Sequence, residues 1–228
     1  MATVFVIMRN RNLTVAMPLI HKVFRFVSRP FRAKRMALFE SVFPVNAGIQ
    51  VLDVGGDQNN WRFLHSTPEI TVVNLARPRD WDDARPHFKF EPGNGMALKF
   101  KDASFDIVFS NSVIEHLGSL ENQKLFAREV MRVGRSVFVQ TPARSFIMEP
   151  HLLTPFIHKF PIRVQQQLIR NFSVWGILTR PTREEIDLFL STTHLLSRRE
   201  FADMFNDCEI VEERFLGMTK SLIAIRKQ

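Results

Sequence analysis

The chain has 228 residues, 45% hydrophobic and 24% charged, enough apolar material for one sizeable core and too little bias for a disordered or fibrous protein. Twenty-two Phe stand against no Tyr, so no phenol serves as acid, base or nucleophile, and the single Cys208 makes neither an internal disulfide nor a cysteine-based zinc site. The formal charge of +8 is local: residues 1–39 carry eight Lys and Arg and no acid, while the remainder balances 23 basic against 23 acidic residues.

Residues 1–44 read as a basic amphipathic extension. Val23, Phe24, Phe26, Val27 and Phe31 interleave with Lys22, Arg25, Arg29 and Arg32, in a helix broken near Pro30. Such a helix can cover the core, lie on an anionic membrane surface, or act as an Arg-rich, acid-poor presequence. No apolar run approaches the roughly 18–20 residues of a membrane span. The expected place is the cytoplasm, with the extension as a peripheral contact to the inner membrane face.

Residues 45–228 form the expected catalytic domain. Strands are read at Ile49–Val54, Ile70–Leu75, His87–Phe90, Phe105–Ser110, Ser136–Gln140, Glu209–Phe215 and Ser221–Ile225, with helices between them. The clearest helix is Leu120–Val133, where Leu125, Phe126, Val130 and Met131 share a face; another opens at Ser197, with Glu200 at capping-box spacing. The last two strands are joined by Leu216–Lys220, too short for a parallel crossover, so they pair antiparallel. The fold class is therefore α/β: a Rossmann-like, doubly wound, mostly parallel seven-stranded sheet with a terminal antiparallel hairpin. Residues 141–196, with Pro142, Pro150, Pro155, Pro161 and Pro181, read as an insertion, helical in pieces, placed where a lid or acceptor pocket would form.

The chemistry gathers at strand ends. Val51-Leu52-Asp53-Val54-Gly55-Gly56-Asp57 is a buried strand closing in an acid and two glycines, which let a ligand approach the backbone while a following helix presents free amides. Asp53 is suited to a positive amine, through water or the backbone. Asn74 lies 21 residues beyond Asp53, close to the spacing of about 20 at which nucleotide folds place a ribose-binding side chain. In Gly93-Asn94-Gly95-Met96-Ala97-Leu98, Asn94 can address an adenine amine or ring nitrogen and Met96 or Leu98 its face. Phe105–Ser110 delivers Ser110 and Asn111 to the sheet's carboxyl edge, with Glu115 and His116 one turn beyond.

Together these stretches resemble class I S-adenosylmethionine-dependent methyltransferases, in particular the group called methyltransferase type 11. The resemblance runs through about residues 48–141. It rests most on Ala97-Leu98-Lys99-Phe100-Lys101-Asp102-Ala103-Ser104-Phe105-Asp106-Ile107-Val108 and on Asn111-Ser112-Val113-Ile114-Glu115-His116. It implies S-adenosylmethionine as cofactor. Asp53, Gly55 and Gly56 would hold its methionine part, Asn74 and Leu75 its ribose, Asn94 and Gly95 its adenine, with Ser110 and Asn111 flanking the sulfonium. Two positions depart from the family's pattern: Asp57 replaces a glycine, and Asn74 the ribose carboxylate.

His116, Glu149 and His151 are the catalytic candidates; Glu149 and His151, in the stretch Thr141-Pro142-Ala143-Arg144 to Glu149-Pro150-His151, can deprotonate a hydroxyl. No metal-ligand set is read. The expected acceptor is a small molecule, a glycan or a lipid-linked compound. Nucleic acid is disfavoured, because Asn111-Ser112-Val113-Ile114 stands where base methyltransferases carry Asn-Pro-Pro-Tyr. A scaffold that keeps the fold without turnover is the alternative; a dinucleotide oxidoreductase lacks its Gly-x-Gly-x-x-Gly.

Overall fold

The computed structural model describes residues 16–228 except Arg79, and side chains from Arg29 onward. Helix α1 (Ala16–Val42) leads into β1 (Gln50–Val54), β2 (Glu69–Asn74), β3 (Phe88–Pro92) and β4 (Phe105–Asn111). Helix α2 (Leu120–Val133) and β5 (Gly134–Pro142) follow. The sheet closes with β8 (Glu209–Phe215) and β9 (Met218–Arg226) in the order β3-β2-β1-β4-β5-β9-β8. The first five strands in that order are parallel and β9 and β8 are antiparallel to their neighbours, the class I methyltransferase arrangement expected from the sequence. Among the described residues no helix is long and apolar enough to cross a membrane.

Each strand alternates its apolar residues between two layers. On one face Leu52, Val54 and Val108 pack with Phe126 and Val130 of α2 and with Phe201 and Phe205, which belong to and follow α6 (Arg198–Met204). On the other, Val51, Val72, Phe109 and Phe138 meet Met36 and Phe39 of α1, Phe43 just after it, and Trp61. Phe39 is fully buried and meets Phe43, Trp61, Phe109 and Phe138 ring to ring, at centroid distances of 5.2–5.7 Å.

Four expectations need correction. The helix is not broken near Pro30: α1 runs through it, with the proline inside the helix. Val23, Phe24, Phe26 and Val27, the rest of its apolar stripe, lie outside the described side chains. No α-helix follows Gly55-Gly56. One turn at Trp61–Phe63 stands there, because Asp57 accepts from the Asn59 amide and Gln58 exchanges two hydrogen bonds with Asp82, tying the segment down as loop. Likewise no helix separates β2 from β3 or β3 from β4. Leu125 is exposed; the inner face of α2 is Gln123, Phe126, Ala127, Val130 and Val133.

The hairpin connection is shorter than Leu216–Lys220. Leu216 and Gly217 both have positive φ, 49° and 78°, as in the tight two-residue turns that match strand twist. Ser197 and Glu200 form the expected capping box. Between β5 and α6 lie a two-stranded ribbon, β6 (Met148–Glu149) with β7 (Thr154–Pro155), then α3 (Ile162–Phe172), α4 (Val174–Thr179) and α5 (Arg183–Thr192). These pieces share a small core of Leu152, Ile157, Ile169, Trp175, Ile186 and Phe189.

Candidate active site

The chain leaves β1 toward β2 and β3 and returns to start β4 on the other side, so the carboxyl ends of β1 and β4 open a crevice where the strand order reverses. Ser110 sits at that point, fully buried, its hydroxyl donating to the Val54 carbonyl at 2.9 Å and clamping the two strand ends together. Gly55 takes φ 78°, and a Cβ there would come within 2.6 Å of Val113. A Cβ on Gly56 would lie 2.1 Å from both carboxyl oxygens of Asp53. The backbone thus passes directly over the acid, which only glycine permits.

Asp53 is wholly buried, with Trp61 Nε1 donating to Oδ2 at 2.7 Å and Oδ1 without a partner. Burial raises its pKa to about 8, opposed by the Trp61 hydrogen bond. Asn74, also buried, donates to the Gly56 carbonyl at 3.3 Å and accepts from the Leu75 amide at 2.8 Å. It fixes the glycine loop and still has one N–H and a lone pair to offer. Leu75 beside it is 64% exposed. Asn94 is exposed in a turn closed by the Met96 amide, and Gly95 passes tightly over Phe126 and Val54. Leu98, expected as an adenine contact, is instead buried against α2, where Glu129 and Arg132 hold its backbone amide and carbonyl; Met96 packs against the same core.

These features fit S-adenosylmethionine. The crevice offers a glycine cradle that any Cβ would fill, a buried carboxyl oxygen without a partner, an amide with spare capacity and an exposed leucine. Asp53, Gly55, Gly56, Asn74, Leu75, Asn94, Gly95, Ser110 and Asn111 all lie along this carboxyl edge.

Next to it lies a cavity of about 290 Å³ between α1, the ends of β4 and β5, the β8–β9 hairpin and the ribbon. Phe31, Phe146, Met148, Leu153 and Phe215 make its apolar walls, and Asn111, Gln140 and His151 its polar one. Arg35 lines it as well. Its buried guanidinium donates to Asn111 Oδ1 and, at 2.9 Å, to Glu213, which also receives Lys220 at 3.1 Å.

Beyond the polar wall is a buried cluster that unites the three catalytic candidates. The His116 and His151 rings meet edge to face at 4.6 Å, and His151 Nδ1 pairs with Glu149 at 2.7 Å. Glu115, fully buried, accepts from Thr141 at 3.1 Å through one oxygen only. Burial pushes Glu115 up and His116 well down, favouring the neutral form of each. Burial opposes charge on His151 too, but the Glu149 carboxylate and its hydrogen bond outweigh that and raise it.

Several participants were not singled out from the sequence. Arg35 reaches Asn111 across 76 positions, with no local signal. Gln123, fully buried, donates to the carbonyls of Ile114 and His194 at 3.0 and 2.8 Å and ties the end of the 141–196 segment to the turn that carries Glu115. A glutamine on the inner face of α2, where apolar residues belong, was the available clue.

Residues 58–136 match the family model described as a methyltransferase domain. No curated protein matches the chain. Among solved structures, the PH0226 protein of Pyrococcus horikoshii superposes with a TM-score of 0.55 at 16% identity, covering 88% of this chain and 89% of that one. An O-methyltransferase family protein of Burkholderia thailandensis gives 0.56 at 14%, covering 93% and 59%, and the YcgJ protein of Bacillus subtilis 0.51 at 16%, covering 79% and 70%. At these identities the likenesses are of fold.

Proposed function

We propose that this chain, an S-adenosylmethionine-dependent methyltransferase of the class I fold, methylates a hydroxyl oxygen of a small, mainly apolar acceptor. The observation that carries this is the cavity. It adjoins the cofactor crevice through Asn111, is walled by aromatic and aliphatic side chains, and has one polar wall ending in His151. Its volume, about 290 Å³, lies at the small end of ligand sites, suiting a compact molecule or the reactive end of a longer one. The lid's outer side exposes Ile162, Phe172 and Ile177 beside Arg163 and Arg170, which supports a lipid-linked form of that acceptor.

S-adenosylmethionine, when bound, would supply its sulfonium methyl group to the acceptor's nucleophilic oxygen, with the neutral thioether of S-adenosylhomocysteine as leaving group. The chain's own work is positioning, which can contribute several kcal/mol to such a step. Ser110 and Asn74 hold the crevice open at a fixed width, and Arg35 fixes Asn111 between crevice and cavity. Apolar walls exclude water that would compete for the methyl group. The proton of a hydroxyl acceptor leaves toward the Glu115, His116 and His151 cluster, the polar end of the cavity.

The first test is calorimetric titration with S-adenosylhomocysteine, with NAD as control, followed by a labelled-methyl screen of phenols, alcohols and isoprenoid-linked alcohols. Micromolar binding and product from a hydroxyl acceptor are expected, with kcat falling at least tenfold in His151→Ala at unchanged cofactor affinity. Methylation of amines alone would overturn the hydroxyl assignment.

A further inference from the structure

We propose that Glu115, His116 and His151 form a binding site for one divalent transition-metal ion at the polar end of the acceptor cavity. One donor atom from each residue lies within 4.8 Å of the other two, and the Glu115 Oε1 to His116 Nε2 distance is 3.9 Å. A tetrahedral metal with bonds of about 2.1 Å sets its ligands about 3.4 Å apart, so side-chain rotations that draw the donors together by up to about 1.5 Å close the site.

The donors are unspent. Glu115 Oε1 and both ring nitrogens of His116 are buried and have no hydrogen-bond partner. Leaving such atoms unpaired costs roughly 1–3 kcal/mol each, and buried polar groups are otherwise almost always satisfied. Two of them, Glu115 Oε1 and one ring nitrogen of His116, lie within 4.8 Å of a donor atom of His151, which gives the site two unspent ligands and a third beside them. The surrounding bonds orient the ligands in the manner of metal centres. Glu149 holds His151 through Nδ1, which leaves Nε2 for the ion, and Thr141 holds the other Glu115 oxygen.

Two imidazoles and one carboxylate favour zinc, iron(II), cobalt(II) or manganese(II) over magnesium or calcium, which prefer all-oxygen shells. Three protein ligands also leave coordination positions open, as in catalytic rather than structural sites. His151 lines the cavity, so those positions face the acceptor. The ion would take a water there, or the acceptor's own oxygen. That last role rests on the hydroxyl reading given above; ion binding does not.

The test uses the full chain, stripped with a chelator and then titrated with Co²⁺ and Zn²⁺. One equivalent of each ion is expected, with a visible cobalt absorption band. Affinity should drop at least tenfold in His116→Asn and in Glu115→Gln, while S-adenosylhomocysteine still binds. His151→Asn, at the cavity rim, gives the same readout if either buried variant fails to fold. A chain that binds S-adenosylhomocysteine but takes up no stoichiometric ion overturns the site, as does uptake that all three variants leave unchanged. Stoichiometric uptake lost in the variants, in an enzyme that methylates no hydroxyl, would overturn the acceptor reading and uphold the metal.

Discussion

Replacing Asp53 with Asn should change how stability depends on pH. The carboxyl group titrates near pH 8 in the folded chain and near 3.8 when unfolded, because burial disfavours its charge. Below about pH 4 both states hold the proton. Between about pH 4 and pH 8 the unfolded chain has lost it and the folded chain keeps it, so each added pH unit costs about 1.4 kcal/mol of stability. Above pH 8 the penalty levels off at about 6 kcal/mol. Asn cannot ionise and still accepts the Trp61 hydrogen bond, so Asp53→Asn lacks this slope. Urea denaturation of both proteins at pH 5, 6.5 and 8 should therefore show the variant gaining on the parent by about 4 kcal/mol across the series. Saturating S-adenosylhomocysteine should shrink the gain, because an ammonium near Oδ1 favours the ionised carboxyl. Parallel pH profiles for the two proteins would refute the reasoning.

Gly56→Ala places a methyl group 2.1 Å from the Asp53 oxygens that Trp61 pins. A loss of about 3 kcal/mol is expected, a fall in Tm of roughly 6–12 °C, together with loss of cofactor binding by calorimetry. Gln123→Ala takes the side-chain donor from the His194 carbonyl and leaves the Ile114 carbonyl only its Leu117 amide at 3.4 Å, which should cost about 1–3 kcal/mol and speed proteolytic cleavage within residues 141–196 before global unfolding. Phe31 packs on Phe215 at 5.4 Å and under Lys220 at 4.0 Å. Phe31→Ala should raise KM for the acceptor about tenfold, the loss of about 1.5 kcal/mol of apolar contact, and leave kcat and cofactor affinity within twofold.

The middle of the sheet was legible because strands such as β1, β4 and β5 are buried on both faces and read as short apolar runs. The cofactor edge was legible for a related reason: small and polar residues at the end of such a run, as in Ser110-Asn111 or Gly55-Gly56, make poor core and must face something else. The helix expected after Gly56 was not. Its absence follows from side chains, Asp57 and Gln58, whose bonds to nearby backbone outcompete the helical ladder, and local propensity alone does not reveal that contest. His116 and His151 were each visible as candidates, yet their meeting depends on the ribbon folding Glu149-Pro150-His151 back beneath the turn after β4. No periodicity in residues 141–196 carries that information.

The loop after β1 and the helix α1 explain one another. With no helix after Gly56, Val51, Val72 and Phe109 would stand bare on that face of the sheet. Phe39, Phe43 and Met36 cover them, and Trp61 fills the remaining gap while anchoring Asp53. One helix turn from that packing, the same α1 presents Phe31 and Arg35 to the cavity, and Arg35 grips Asn111 at the boundary between crevice and acceptor. A substitution that shifts α1 along the sheet should therefore move the cavity wall at Phe31 and the Arg35–Asn111 bond together. If the cavity takes the acceptor as proposed, acceptor choice is coupled to the packing of the sheet as well as to residues 141–196.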